Sequence, residues 1–226
     1  MVRTASKTEN QSSAQAVRLG IFGASGCGKT TKARSLIKNL KRVIYFEPLA
    51  DDLQRLEKED KFKIVVGLHA LFTELQKRFS KGFRIAYYPA IDREEVELSV
   101  LSNALMRLQS GYGLNHNAQI TLVVDELDLS FPSGITQGKK NNGFKNLCCR
   151  GRHTGINIIG LSQRLHMVDI SFRANCSAIY IFRHIEPADI DTAVKITGRQ
   201  YRQELEKLNN FEYIYKSGAN IIIHKK

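Results

Sequence analysis

Short β-branched and aromatic runs alternate along this chain with stretches whose apolar residues recur at helical spacing. The run from Ala16 to Phe22 predicts a strand, and Ala33, Leu36, Ile37 and Leu40 after it, at i, i+3, i+4 and i+7, predict one buried helix face. Arg42 to Phe46 predicts a second strand, ended by Pro48. Leu68, Leu71, Phe72, Leu75 and Phe79 predict a helix that stops at Lys81-Gly82, and Phe83 to Tyr88 predicts a strand closed by Pro89. Asp92 and Glu95 have capping-box spacing ahead of a helix expected to bury Leu101, Ala104, Leu105 and Leu108.

The same alternation continues to the C-terminus. Strands are predicted at Gln119 to Val124, Ile156 to Leu161 and Ser177 to Phe182, with a short helix around Phe144, Leu147 and Cys148 between the first two. Ile190, Ala193, Val194 and Thr197 share one helix face up to Gly198, and a short helix is expected from Tyr201 to Leu208. Phe211 to Tyr215 and Ile221 to Ile223 then predict a β-hairpin. Such alternation predicts an α/β fold with a mostly parallel central sheet flanked by helices and extended by the C-terminal hairpin. Residues 1–15 are polar and without periodicity, so they cannot bury enough apolar surface to order. The expected organisation is a flexible tail over 1–15, a core over 16–208 and the hairpin over 209–226.

The first strand leads into Gly23-Ala24-Ser25-Gly26-Cys27-Gly28-Lys29-Thr30, the pattern of a Walker A phosphate loop set between a strand and a helix. Its glycines let consecutive N–H groups turn inward around a phosphate, and the helix that starts near Gly28 aims its positive end at the same anion. Lys29 reaches the β- and γ-phosphates of such a nucleotide and the Thr30 hydroxyl takes one position on Mg²⁺. The expected nucleotide-binding segment is therefore Gly23 to Thr30 together with Thr31. Cys27 reads as a tolerated loop residue.

The strand ending at Val124 is followed by Asp125-Glu126, which reads as a Walker B motif. Asp125 is expected to hold Mg²⁺ through its water shell, and Glu126 to orient and deprotonate the water that attacks the γ-phosphate. Asp128 reads as a solvated turn residue. Gln163 stands at the end of the Ile156–Leu161 strand, where a parallel sheet gathers its ligand-binding side chains. Its neutral amide can bond both a phosphate oxygen and the attacking water, which makes it a candidate γ-phosphate sensor.

Charge adds a partner. The 34 basic and 22 acidic residues leave a net charge of +12, which points to a polyanion, nucleic acid before an anionic membrane. From Leu129 to Val168 there is no acidic residue, yet Lys139, Lys140, Lys145, Arg150, Arg152 and Arg164 fall there. Lys139 and Lys140 lie in a stretch of loop composition and, with Lys145, are the candidate DNA-phosphate contacts. No apolar run approaches the ~20 residues that cross a bilayer, and the N-terminus has no hydrophobic segment of the signal-peptide kind. Four cysteines, Cys27, Cys148, Cys149 and Cys176, form no C-x-x-C pair and read as reduced small hydrophobes of a cytosolic protein.

With these residues placed, the chain from Ala16 onward resembles the FtsK–HerA superfamily of DNA-pumping ATPases. The most specific portion is Arg152-His-Thr-Gly-Ile-Asn-Ile-Ile-Gly-Leu-Ser-Gln163-Arg164, followed by Ala174-Asn175 and the Ile179–Phe182 segment. Its size and bare core are most similar to the genome-packaging ATPases of tailless, internal-membrane double-stranded DNA viruses, the tectivirus type. The resemblance implies a RecA-like P-loop fold and a ring of identical subunits, a hexamer, with ATP and Mg²⁺ between subunits and double-stranded DNA in the channel. It also implies docking on capsid vertex or portal-like proteins, with location in the host cytoplasm and at the packaging vertex of the virion. An arginine finger in trans is implied as well, Arg152 first, Arg150 next, and Arg173 or Arg183 after them. The sequence departs from the cell-division relatives at Leu165, where they carry proline, and at Ser177-Ala178, where they often carry arginine. Rival readings are a DNA-transfer or filamentous-phage assembly ATPase with the same engine, a nucleoside or nucleotide kinase, and a nucleotide-switched binding module without turnover.

Overall fold

The computed structural model describes residues 16–112, 116–134 and 142–225. The 1–15 tail and the lysines Lys139 and Lys140 lie outside the described residues. Three layers form the molecule: a central sheet with helices on both faces. In chain order the elements are β1 (Arg18–Phe22), α1 (Lys29–Ile37), β2 (Arg42–Phe46), α2 (Leu53–Lys58), β3 (Lys63–Val66), α3 (Leu68–Arg78), β4 (Phe83–Tyr88), α4 (Glu94–Leu108) and β5 (Ile120–Val124). They continue as α5 (Leu127–Ser130), α6 (Asn142–Arg150), β6 (Ile156–Ser162), α7 (Ile170–Arg173), β7 (Ala178–Phe182), α8 (Pro187–Thr197), α9 (Arg202–Glu206), β8 (Tyr213–Ser217) and β9 (Asn220–His224).

Among the described residues the sheet has nine strands in the order β3-β4-β2-β5-β6-β1-β7-β8-β9. The first seven in that order run parallel and β8 and β9 antiparallel, so the expected mostly parallel sheet with an edge hairpin is what forms. The order places β6 between the strand that leads into the phosphate loop, β1, and the strand that leads into Asp125-Glu126, β5. All three of those strands end on the same side, and that edge carries the site.

Strand alternation divides the core into two. On β2, Ile44 and Phe46 face the larger cluster, under α3, α4, α6, α8 and α9, while Val43 and Tyr45 face the smaller one, under α1 and α2. The parallel strands are buried on both faces, and so they read as unbroken apolar runs rather than alternating ones. Removing each large apolar side chain from water contributes roughly 1.5–3 kcal/mol.

Local expectations also change: Phe211, expected to open the first hairpin strand, lies in the turn before β8, which begins at Tyr213. Leu40 lies past the end of α1, in a turn where its N–H donates to Ile37 O (3.1 Å), and is 39% exposed. Leu108, at the last residue of α4, is likewise exposed. Asp92 does not cap α4: it adopts a left-handed backbone (φ 63°), Arg93 becomes the capping position, and the Asp92 N–H donates to Glu94 Oε1 (3.2 Å).

Candidate active site

The loop after β1 hangs from the ends of the strands beside it. Gly23 N–H donates to Ser162 O at the end of β6 (3.2 Å), and Ala24 N–H donates to Arg183 O just past β7 (2.8 Å). Gly26 and Gly28 take φ of 70° and 110°, a region that side-chain-bearing residues rarely occupy. Ser25 and Gly26 are exposed at the tip, and Thr30 and Thr31 follow Lys29 in the first turn of α1. Lys29 Nζ donates to Ala24 O (3.1 Å), spanning the loop from helix to strand end. The geometry is that of an anion cradle: loop N–H groups, a helix N-terminus and an ammonium group converge.

Cys27 differs from its reading as a merely tolerated loop residue. It is fully buried and packs in the smaller core with Ile21 and Phe182. Burial pushes its thiol above the ordinary range, so it is an inert anchor for the loop.

Asp125 and Glu126 follow β5 on the same edge. Asp125 N–H donates to Phe46 O (3.0 Å), and Asp125 Oδ1 accepts from the Glu126 N–H (2.9 Å). Its other oxygen accepts from the fully buried Tyr45 hydroxyl (2.7 Å). Glu126 sits in the left-handed region (φ 41°, ψ 57°), a conformation that costs a non-glycine residue on the order of 1–3 kcal/mol and recurs at functional sites. That turn holds its carboxylate beside β6, where Gln163 Nε2 donates to Glu126 Oε1 (2.6 Å). The predicted base and the predicted sensor are thus in direct contact.

Glu47 and Asp52, which sequence reasoning did not single out, complete an acidic cluster: Glu47, Asp52 and Asp125 offer carboxylate oxygens all within 4.8 Å of one another. Glu47 lies just past β2 and is 2% exposed. Burial, with Asp125 next in weight, pushes its carboxyl up to about 8. Burial also raises Asp125, opposed by the Tyr45 hydroxyl, and raises Glu126, opposed by the Gln163 amide. Clustered hard oxygen donors beside the Thr30 hydroxyl and the phosphate cradle fit a Mg²⁺ ion, which would restore the ionised forms that burial disfavours. The strand-end rule that flagged Gln163 applies equally to Glu47. Tyr45 carries no such signal, because only the pairing of β2 with β5 brings it to Asp125.

Asp128 is corrected: it is not a free turn residue, since it accepts from Ser162 Oγ (2.6 Å) and ties α5 to the end of β6. Beyond Gln163, the buried carboxylate of Asp189 on α8 accepts from Arg164 Nε (3.1 Å) and from the His166 N–H (2.9 Å), with His166 Nδ1 at 2.8 Å. The segment that bears Gln163 is therefore clamped on both sides. Buried nearby, His184 Nε2 has no hydrogen-bond partner among the described residues, and desolvation lowers the imidazole to about 4.

Arg150 ends α6 and Arg152 lies in the turn before β6. Both are exposed and lie before the first residue of β6, whereas Gln163 follows its last, so the seven residues of that strand, roughly 20 Å, stand between them. They do not join the site of their own chain. Arg183 donates from Nε to Asn210 Oδ1 (3.0 Å) and Arg173 from Nε to Val168 O (2.9 Å). Lys145 is exposed on α6.

A RecA-like sheet with a phosphate loop on one central strand and a carboxylate pair two strands away defines a P-loop ATPase. The model of the Zonular occludens toxin (Zot) family matches residues 21–204, and the chain belongs to that family. The genome packaging NTPase B204 from Sulfolobus turreted icosahedral virus 2, in complex with AMP, has a TM-score of 0.68 at 15% identity, covering 93% of this chain and 97% of that one. B204, the DNA-packaging ATPase from Sulfolobus turreted icosahedral virus, has a TM-score of 0.65 at 16% identity, covering 94% and 98%. VirB4 of Thermoanaerobacter pseudethanolicus follows at 0.60 and 11%, covering 92% and 88%. No curated protein matches the chain. The expected likeness to genome-packaging ATPases holds at the level of fold, and no helix among the described residues is long and apolar enough to cross a membrane.

Proposed function

We propose that this protein is an ATP-driven double-stranded DNA translocase that packages a viral genome into a preformed capsid, working as a homo-oligomeric ring, a hexamer, docked on the capsid vertex or on portal-like proteins. The observation that carries the reading is the bond between Gln163 and Glu126 at one end of β6, with exposed Arg150 and Arg152 at the other. One strand thereby links the group that senses the γ-phosphate to arginines suited to a neighbouring subunit's site. Fold likeness to packaging ATPases over most of both chains supports the same reading.

In this mechanism the loop from Gly23 to Thr31 binds the phosphates of ATP, and Lys29 neutralises the β- and γ-phosphates. Glu126 orients the attacking water and takes its proton, while Gln163 holds the same water and registers loss of the γ-phosphate. Mg²⁺, held by Thr30 and Asp125 with Glu47 and Asp52 around it, would neutralise charge on the phosphates. The finger, Arg152 or Arg150, enters from the next subunit. Lys139, Lys140 and Lys145 grip the DNA backbone, which gives little sequence preference and a strong dependence on salt.

The Zot family membership and the VirB4-like fold favour, as a second reading, a DNA-transfer or filamentous-phage assembly ATPase with the same engine. Both readings are tested by the steady-state ATPase rate with and without long double-stranded DNA, over salt and protein concentration. Stimulation that is lost at high salt and rises cooperatively with protein concentration supports a ring motor. Turnover that ignores DNA and requires a nucleoside or nucleotide acceptor overturns it in favour of a kinase. Packaging of DNA into empty capsids, present or absent, then separates the two motor readings.

A further inference from the structure

A cavity of about 220 Å³ opens over the first turn of α1, and Gly28, Lys29 and Thr30 of the phosphate loop line it together with Asp52, Arg55 and Phe211. Phe211 comes from the turn between α9 and β8, far along the chain, and the residue is 50% exposed. That ring is nonetheless held firmly. The Phe211 N–H donates to Cys27 O inside the phosphate loop (2.8 Å), and a Cβ on Gly28 would stand 2.8 Å from the ring. Phe211 has φ of 70°, a left-handed backbone that bulky residues adopt only when their surroundings impose it. The surroundings do so: Glu212 Oε2 accepts from the Asn209 N–H (2.8 Å) and from Asn209 Nδ2 (3.2 Å), and Arg183 Nε bonds Asn210 Oδ1 (3.0 Å).

A braced, strained turn thus presents an aromatic ring to the same cavity that Lys29 and Thr30 of the phosphate loop line. Asp52 and Arg55 add polar groups to its lining. A flat group with apolar faces and a polar edge, attached to phosphates, matches all three features. We propose that Phe211 is the platform on which the base of the bound nucleoside triphosphate stacks, a role that rests on the reading of the Gly23–Thr31 loop as a nucleotide site. Stacking is tolerant of base identity because every base has a π-face. The platform therefore favours nucleotides over bare polyphosphate more strongly than it favours one purine over another.

The chain contains no tryptophan, so Phe211→Trp installs a sole indole at the platform. With Mg²⁺ present, its emission is followed during titration with a non-hydrolysable ATP analogue and, separately, with tripolyphosphate, and calorimetry gives the affinities of the parent, Phe211→Ala and Phe211→Tyr. Circular dichroism verifies that each variant is folded. The expected result is quenching by the ATP analogue and not by tripolyphosphate, a loss of nucleotide affinity of about tenfold or more in Phe211→Ala, little change in Phe211→Tyr, and unchanged tripolyphosphate affinity throughout. Equal indole responses to both ligands, or parental nucleotide affinity in Phe211→Ala, overturn the platform while leaving the phosphate loop intact. If the parent binds neither ligand and Lys29→Ala behaves identically, the nucleotide reading itself fails and the platform fails with it.

Discussion

Gln163 and Glu126 stand at the ends of adjacent parallel strands, and the amide of the first donates to the carboxylate of the second at 2.6 Å. The bond stabilises the ionised form of Glu126 against the burial that raises its pKa. Gln163→Ala therefore raises that pKa further. A general base works only when ionised, so the acid limb of the kcat–pH profile moves to higher pH and kcat falls by about a hundredfold. An acid limb that stays in place in Gln163→Ala excludes Glu126 as the base under its control.

Glu126→Gln keeps the shape of that carboxylate and removes its basicity. Nucleotide affinity stays near the parental value while turnover falls by about a hundredfold or more. Full ATPase activity in this variant would assign the base elsewhere. Lys29→Ala, by contrast, loses binding and turnover together.

Tyr45 lies out of reach of solvent, and its hydroxyl is given wholly to Asp125. Tyr45→Phe deletes one hydrogen bond to a buried carboxylate, a change of about 1.5–3 kcal/mol. Asp125 then holds its proton more tightly and is oriented less firmly. The Mg²⁺ concentration for half-maximal ATPase activity is expected to rise about tenfold, with kcat at saturating Mg²⁺ largely retained. An unchanged Mg²⁺ requirement would reduce Tyr45 to a packing residue.

These side chains differ in how far the sequence exposes them. The phosphate loop and Asp125-Glu126 are contiguous, so their chemistry survives without any knowledge of strand order. β2 and β4 also appear in the sequence with their observed limits, because Pro48 and Pro89 close apolar runs. The stretch holding α2 and β3 was silent: Leu56 is the one buried residue of α2, and β3 is an edge strand whose Val66 is 62% exposed. Leu40 and Leu108 misled in the other direction, since apolar spacing persists past the point where a helix leaves the core. Tyr45, Asp128 and Phe211 reach the site only through pairing across the sheet or through a distant turn. No spacing along the chain encodes such contacts.

Glu47 makes the metal-free protein sensitive to pH in an unusual direction. In the folded chain it keeps its proton up to about pH 8, while the ordinary value in an unfolded chain is 4.5. Between these values the folded state binds more protons, so its contribution to stability is fully present below 4.5 and is lost as pH rises toward 8. The loss is on the order of 4 kcal/mol. Glu47→Gln removes this slope. Urea unfolding without Mg²⁺ should find the variant more stable than the parent at pH 8 and nearly equal to it at pH 4.5. A difference that does not change with pH would mean that Glu47 ionises normally in the folded protein.

Arg152 and Arg150 face away from the site of their own chain, at the other end of β6. If either acts on ATP, it acts on a neighbour's, and that has a consequence a mixing experiment can read. Lys29→Ala chains cannot hold nucleotide but keep their fingers; Arg152→Ala chains keep the nucleotide site but lack the finger. Each alone is inactive. In a mixed ring, a site from an Arg152→Ala chain can meet a finger from a Lys29→Ala chain, and with random head-to-tail assembly at equal amounts about a quarter of the interfaces are complete. DNA-stimulated activity should therefore reappear on mixing, at roughly that fraction if interfaces act independently and below it if the ring fires in concert. The Arg150→Ala chain, mixed in the same way, identifies which of the two arginines enters the site. Mixtures that stay silent for both, with ring assembly verified by sedimentation, would move the finger to Arg173 or Arg183, whose side chains would first have to leave Val168 and Asn210.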